Sequence, residues 1–203
     1  MYRGVAIWNY AGDAVENAQR FADAGFDAVS WNAPLFVDRY TDDDRARVAE
    51  YLKRSGQYLT MHNLLPSPYD PQEIASARKA WRILADWHDK YHLLHGMTFD
   101  FWHPHDDQLP LYRECLEIFR GKGVFLACED TPLNARTMEK FAKYLTPEDD
   151  VGILIDLGHM NVRQWMNERH EPEDFLQVFQ QLPMKVRELH LHDNKGRKDE
   201  HRE

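Results

Sequence analysis

The chain has 203 residues, 43% of them hydrophobic, and a formal net charge of −9 at pH 7. That is enough to bury a substantial core as one domain over residues 1–203, and too acidic for a broadly basic nucleic-acid surface. Two cysteines, Cys115 and Cys128, exclude a disulfide framework, no apolar run approaches the roughly 20 residues of a membrane helix, and MYRGVAIWNY lacks a signal peptide's charged start and long apolar centre, so a reducing cytoplasm is expected.

Strand and helix alternate along the chain. Arg3–Trp8 (RGVAIW) reads as a first strand. Val15, Ala18, Phe21 and Ala22 then recur at helical spacing within Asp13–Ala24, before Gly25 stops the helix. Phe26–Trp31 (FDAVSW) is the second strand, and PLFVDRYTDDD after it reads as a loop that is acidic at its end. Thr41 caps a helix whose first turn, Asp42, Asp43 and Asp44, faces the positive end of its dipole; Gly56 ends it. Gln57–His62 (QYLTMH) is the third strand, Asp70 or Pro71 opens a long helix to about Lys90, and His95–Trp102 (HGMTFDFW) is the fourth strand. Pro110–Arg120 is a helix, Gly123–Glu129 (GVFLACE) the fifth strand, Asn134–Tyr144 a helix and Val151–Asp156 the sixth strand. Pro172–Leu182 and Val186–His192 (VRELHLH) supply one more helix and a seventh strand.

Strands alternating with helices imply a parallel sheet, because parallel neighbours need crossover connections. AIWNYAGDA, after the first strand, lacks the glycine pattern of a dinucleotide fold. The expected architecture is therefore α/β, a (β/α)8 TIM barrel rather than an open doubly wound sheet.

The strongest functional signal is a shared register. Each strand from the third to the seventh ends in or near a metal-ligand residue: His62, His103, Glu129, Asp156 with His159, and His190. In Val151–Asn161 (VGILIDLGHMN), Gly152, Leu154 and Asp156 point one way and Ile153 and Ile155 the other, and Gly158 allows the tight turn that brings His159 back over the strand end. In a barrel such ends surround one mouth. Imidazoles and carboxylates without thiolate suit Zn²⁺, Mn²⁺, Co²⁺ or Mg²⁺, and a cation balances what would otherwise be a costly buried cluster.

The segments MHNLLP, FWHP, CEDTP, IDLGHMN and LHLHDNKGRKDEH resemble the successive strand-end motifs of the xylose-isomerase-like TIM barrels, the superfamily that includes endonuclease IV. In the endonuclease IV branch the resemblance implies three zinc ions. His62 and His103 would hold one, Glu129 would bridge to a second completed by Asp156 and His190, and His159, Asp199 and His201 would hold the third. In the sugar isomerase and epimerase branches it implies one divalent metal on Glu129, Asp156 and His190, with His159 at the substrate. Both branches draw a further glutamate from an eighth strand, which this sequence lacks. The expectation is a barrel shortened at its C-terminus to about seven strands, whose open edge would invite pairing or aggregation; a homo-oligomer is among the expected states.

Among other residues, His88, His92 and His95 fall at the opposite end from the mouth and read as structural, and Cys128 has the wrong parity to face a metal. Trp8, Trp31, Phe101 and Trp102 fall at strand ends, where they would wall a sugar pocket or belong to the core. His105, His170 and His192 are loop or inward positions, and Lys195, Arg197 and Lys198 form a small basic loop suited to a phosphate.

Three readings follow. The first is a metal-dependent sugar or sugar-phosphate isomerase or epimerase, with Glu129 as a catalytic acid/base and proton transfer through an enediolate. The second is phosphodiester hydrolysis at abasic DNA, disfavoured by the acidic second-strand loop and by the absence of a tyrosine soon after His62. The third is an inactive barrel that only binds metal or ligand.

Overall fold

A computed structural model describes residues 2–7, 12–101, 108–130, 149–158 and 185–191. Within them the alternating segments form β1 (Gly4–Ile7), β2 (Ala28–Asn32), β3 (Tyr58–Leu64), β4 (Leu94–Phe101), β5 (Phe125–Asp130), β6 (Val151–Asp156) and β7 (Lys185–His190). The sixth strand has the expected bounds, and the others differ by one or two residues at each end. The expected helices over 134–144 and 172–182 lie outside the described residues.

All pairings are parallel and each strand pairs with the next in the chain, giving the order β1-β2-β3-β4-β5-β6-β7. A doubly wound sheet reverses direction at a switch point; this order never does. Strand order therefore decides for the TIM-barrel winding.

The helices α1 (Ala14–Asp23), α2 (Ala33–Arg39), α3 (Asp42–Ser55), α4 (Pro71–Tyr91) and α5 (Leu109–Phe119) start where local chemistry directs. Asp13 accepts from the N–H groups of Val15 and Glu16, and Asp70 from those of Gln72 and Glu73. Thr41 and Asp44 form a reciprocal capping box, and Gly56 ends α3 in the left-handed region at φ 69°.

Helix α2 corrects the reading of PLFVDRYTDDD as a loop. Asn32 caps it, accepting from Leu35 N–H at 3.0 Å. Its C-terminal carbonyls meet the buried guanidinium of Arg45 on α3, which donates to Val37 O at 3.0 Å, to Phe36 O at 3.4 Å and to Tyr40 O. Asn32 and the proline of the first turn are local signals for its start, whereas the donor that closes its end comes from the next helix.

The sheet has two unlike faces. Outward positions Ile7, Val29, Trp31, Leu59, Met61, Met97, Phe99, Leu126 and Cys128 join the main core with Phe21, Phe36, Leu52, Trp81, Leu84 and Leu116 from the helices. The inward face carries a smaller cluster of Phe125, Ala127 and Leu154 against Tyr58. The register shifts between Leu59 and Thr60, so that His95 has no strand partner. His95 Nδ1 instead accepts the N–H of Leu59 at 3.2 Å, and its ring stacks on Tyr58. His88 is buried and donates through Nε2 to Lys122 O at 3.0 Å, while His92 caps α4 in the left-handed region. Burial pushes the pKa of His88 down, in keeping with a neutral ring.

Gly96 makes room for the inner cluster. A Cβ there would lie 2.1 Å from Cζ of Phe125. Gly96→Ala is expected to destabilise the fold by ~1–3 kcal/mol through overpacking, read as a lower urea midpoint at unchanged slope. Adding Phe125→Leu is expected to cost less in the Gly96→Ala background than in the wild type.

Candidate metal centre

Even spacing along paired strands brings four expected ligands to one face. His62 on β3 is in register with Thr98 on β4, which pairs with Ala127, two residues before Glu129 on β5. Glu129 pairs with Leu154, two residues before Asp156 on β6, and Asp156 pairs with His190 on β7. Side chains two residues apart on a strand share a face.

The four side chains meet. Oε2 of Glu129 lies 3.9 Å from Nε2 of His62 and 3.8 Å from Nδ1 of His190, and that Nδ1 lies 3.6 Å from Oδ2 of Asp156. One ligand atom from each of His62, Glu129 and His190 falls within 4.8 Å of the others. His62, Glu129 and Asp156 are buried, and the side chain of His190 is 21% exposed. Thr98 Oγ1, 2.6 Å from Nδ1 of His62, orients that ring with Nε2 toward Glu129.

Electrostatics single out a place for positive charge. Burial alone favours a neutral His190, but Asp156, Glu188 and Glu129 outweigh it and raise its pKa to about 10. A ring among three carboxylates holds a proton where a divalent cation would otherwise balance the charge. The mutually close donors are His62, Glu129 and His190, with Asp156 beside His190, and imidazoles with carboxylates are the donor types such an ion takes. Metal–ligand bonds of about 2.0–2.2 Å separate tetrahedral neighbours by roughly 3.3–3.6 Å, a little less than the 3.6–3.9 Å between successive pairs here.

The remaining expected site residues divide by position. Trp8, His103, His159, Lys195, Asp199 and His201 lie outside the described residues. Phe101 ends β4, its backbone in register with Asp130. Trp31 is corrected from a pocket wall to a core residue. It pairs with Met61, one step out of phase with the Asn32–His62 pair, and is fully buried against Phe36 beneath the helices. Cys128 likewise lies in the outward core, as its parity implied. Sequence reading passed over Glu188, whose Oε1 is 3.0 Å from Nε2 of His190; the available signal was its place two residues before that histidine.

The profile of the xylose isomerase-like TIM barrel family matches residues 18–203. The chain belongs to this family. Its fold is similar to that of D-psicose 3-epimerase from Clostridium cellulolyticum H10, at TM-score 0.65 and 17% identity, covering 95% of this chain and 73% of that one. A xylose isomerase domain protein from Alicyclobacillus acidocaldarius subsp. acidocaldarius gives TM-score 0.64 at 17% identity, covering 95% and 74%. D-allulose 3-epimerase from Methylomonas sp. gives 0.64 at 14%, covering 95% and 72%. No curated protein sequence matches. At these identities the likeness is one of fold. Among the described residues, no helix is long and apolar enough to cross a membrane.

A divalent cation added to chelator-treated protein is expected to raise its thermal midpoint, with about 2.7 kcal/mol of stabilisation at a hundredfold excess over Kd. Glu129→Gln should largely abolish the rise in differential scanning fluorimetry.

Proposed function

We propose that this protein is a divalent-metal-dependent isomerase or epimerase acting on a small carbohydrate or its phosphate. The observation that carries the reading is the approach of His190 to both Glu129 and Asp156 at the ends of three successive strands. The similarity in fold to two ketohexose 3-epimerases supports the substrate class. Zn²⁺, Mn²⁺, Co²⁺ and Mg²⁺ are the candidate ions.

Glu129, Asp156 and His190 would hold the ion, which when bound supplies a Lewis acid for a sugar carbonyl and its neighbouring hydroxyl. Glu129 would take a proton from the adjacent carbon; its burial and its position between two imidazoles support that role. Returning the proton to the other face or the other carbon requires a second acid/base group. His159 is proposed to contact substrate, with Trp8, Phe101 and Lys195 near the pocket rim.

A second reading has its own observation. His62 approaches Glu129 at 3.9 Å, although one ion on Glu129, Asp156 and His190 does not need it. A second ion between His62 and Glu129, with His103, and a third on His159, Asp199 and His201, would suit phosphodiester hydrolysis at abasic DNA.

One experiment separates them. Protein loaded with Mn²⁺, Co²⁺ or Zn²⁺ and incubated with ketohexoses and their phosphates in D2O is expected to place deuterium on the carbon beside the carbonyl, followed by NMR. Glu129→Gln should slow that exchange by ~10²–10⁴-fold. Absence of exchange across the panel, with Glu129-dependent incision of an abasic-site duplex, would establish the second reading instead. Absence of both activities in metal-loaded protein would leave a barrel that only binds.

A further inference from the structure

We propose that Glu188 is a positioning residue of this metal centre, holding the Nε2–H of His190 so that Nδ1 is presented to the cation. The inference rests on the metal-binding reading of the site.

Glu188 and His190 are two residues apart on β7 and share its inward face, Glu188 in register with Leu154 and His190 with Asp156. Oε1 of Glu188 lies 3.0 Å from Nε2 of His190, within hydrogen-bond distance. The other ring nitrogen has Asp156 at 3.6 Å and Glu129 at 3.8 Å, both beyond that distance. An ionised carboxylate only accepts hydrogen bonds, so the nitrogen facing Glu188 carries hydrogen, and the proton a bound cation would displace is the one on Nδ1. The ring is thereby locked with Nε2–H toward Glu188 and Nδ1 toward the two carboxylates that would share the ion. A carboxylate behind a metal-bound histidine fixes its tautomer and strengthens it as a ligand.

The surroundings leave Glu188 committed to this role. Its side chain is 17% exposed. Arg187, the adjacent cation, pairs with Asp150 and lies over the ring of Phe125. The strand register slips between Ile153 and Leu154, and this slip places Glu188, rather than Arg187, beside Leu154 on the inward face.

Metal affinity and the tautomer test the assignment. Chelator-stripped protein titrated with Co²⁺, followed by its visible absorption, is expected to bind ~10–100-fold more weakly as Glu188→Ala. Glu188→Gln keeps an acceptor oxygen and should stay within about threefold of wild type by the same argument. In Zn²⁺-loaded wild type, long-range ¹H–¹⁵N spectra should show His190 protonated at Nε2, a readout that needs no variant to fold. An Nδ1–H tautomer, an unweakened Glu188→Ala, or a Glu188→Gln as weak as Glu188→Ala overturns the positioning role while leaving the proposed function standing. A wild-type chain that binds no divalent ion overturns both.

Discussion

Sequential parallel pairing is the constraint from which the rest of this structure follows. Because every strand hydrogen-bonds to its successor in the chain, all strand C-termini point one way, and residues at matched positions stand side by side. The pleat then sorts them. One set of alternating residues goes outward beneath the helices, where most of the apolar core is built. The other goes inward, where Ser30, Thr60, Thr98, Gly96 and Gly152 keep side chains small or polar and leave the space over Phe125, Ala127 and Leu154 to ionisable groups. Stability and chemistry are thus drawn from opposite faces of the same strands.

That division lets the inward face carry an unfavourable charge arrangement. Glu129, Asp156 and Glu188 crowd one imidazole, and carboxylates so poorly solvated cost several kcal/mol in general. The outward core offsets such a cost, since it does not depend on the site. Supporting groups reach the ligands from neighbouring positions, Thr98 behind His62 and Glu188 behind His190. Both rings are therefore oriented by a hydrogen bond on the side away from Glu129, which makes that carboxylate the geometric centre of the site.

The central position of Glu129 is also why both proposed chemistries turn on the same residue. An ion on its His190 side would draw in Asp156 and make a mononuclear centre suited to a carbonyl and hydroxyl. An ion added on its His62 side would make Glu129 a bridge. The fold alone does not choose between them.

Much of this was legible in the chain itself. The period-2 alternation of VGILID and GVFLACE, the caps at Asp13, Thr41 and Asp70 and the stop at Gly56 are local signals, and each appears where the residues dictate. Alternation also assigns faces, so His62, Glu129, Asp156 and His190 were recognisable as a set, and Cys128 as its opposite. What alternation cannot encode is anything supplied by a distant segment. Helix α2 holds because Arg45 closes its carbonyls. His95 fits as an extra strand residue because its own ring accepts the N–H of Leu59. Trp31 belongs to the core because its pairing with Met61 puts it out of phase with His62. Glu188 meets His190 because of a register slip one strand away. The sequence by itself determined the strands, most of the helices, their alternation and the candidate ligand set, since these depend on neighbours in the chain. Only the tertiary structure decided which of those residues touch, because register, and the slips within it, are set by pairing between strands.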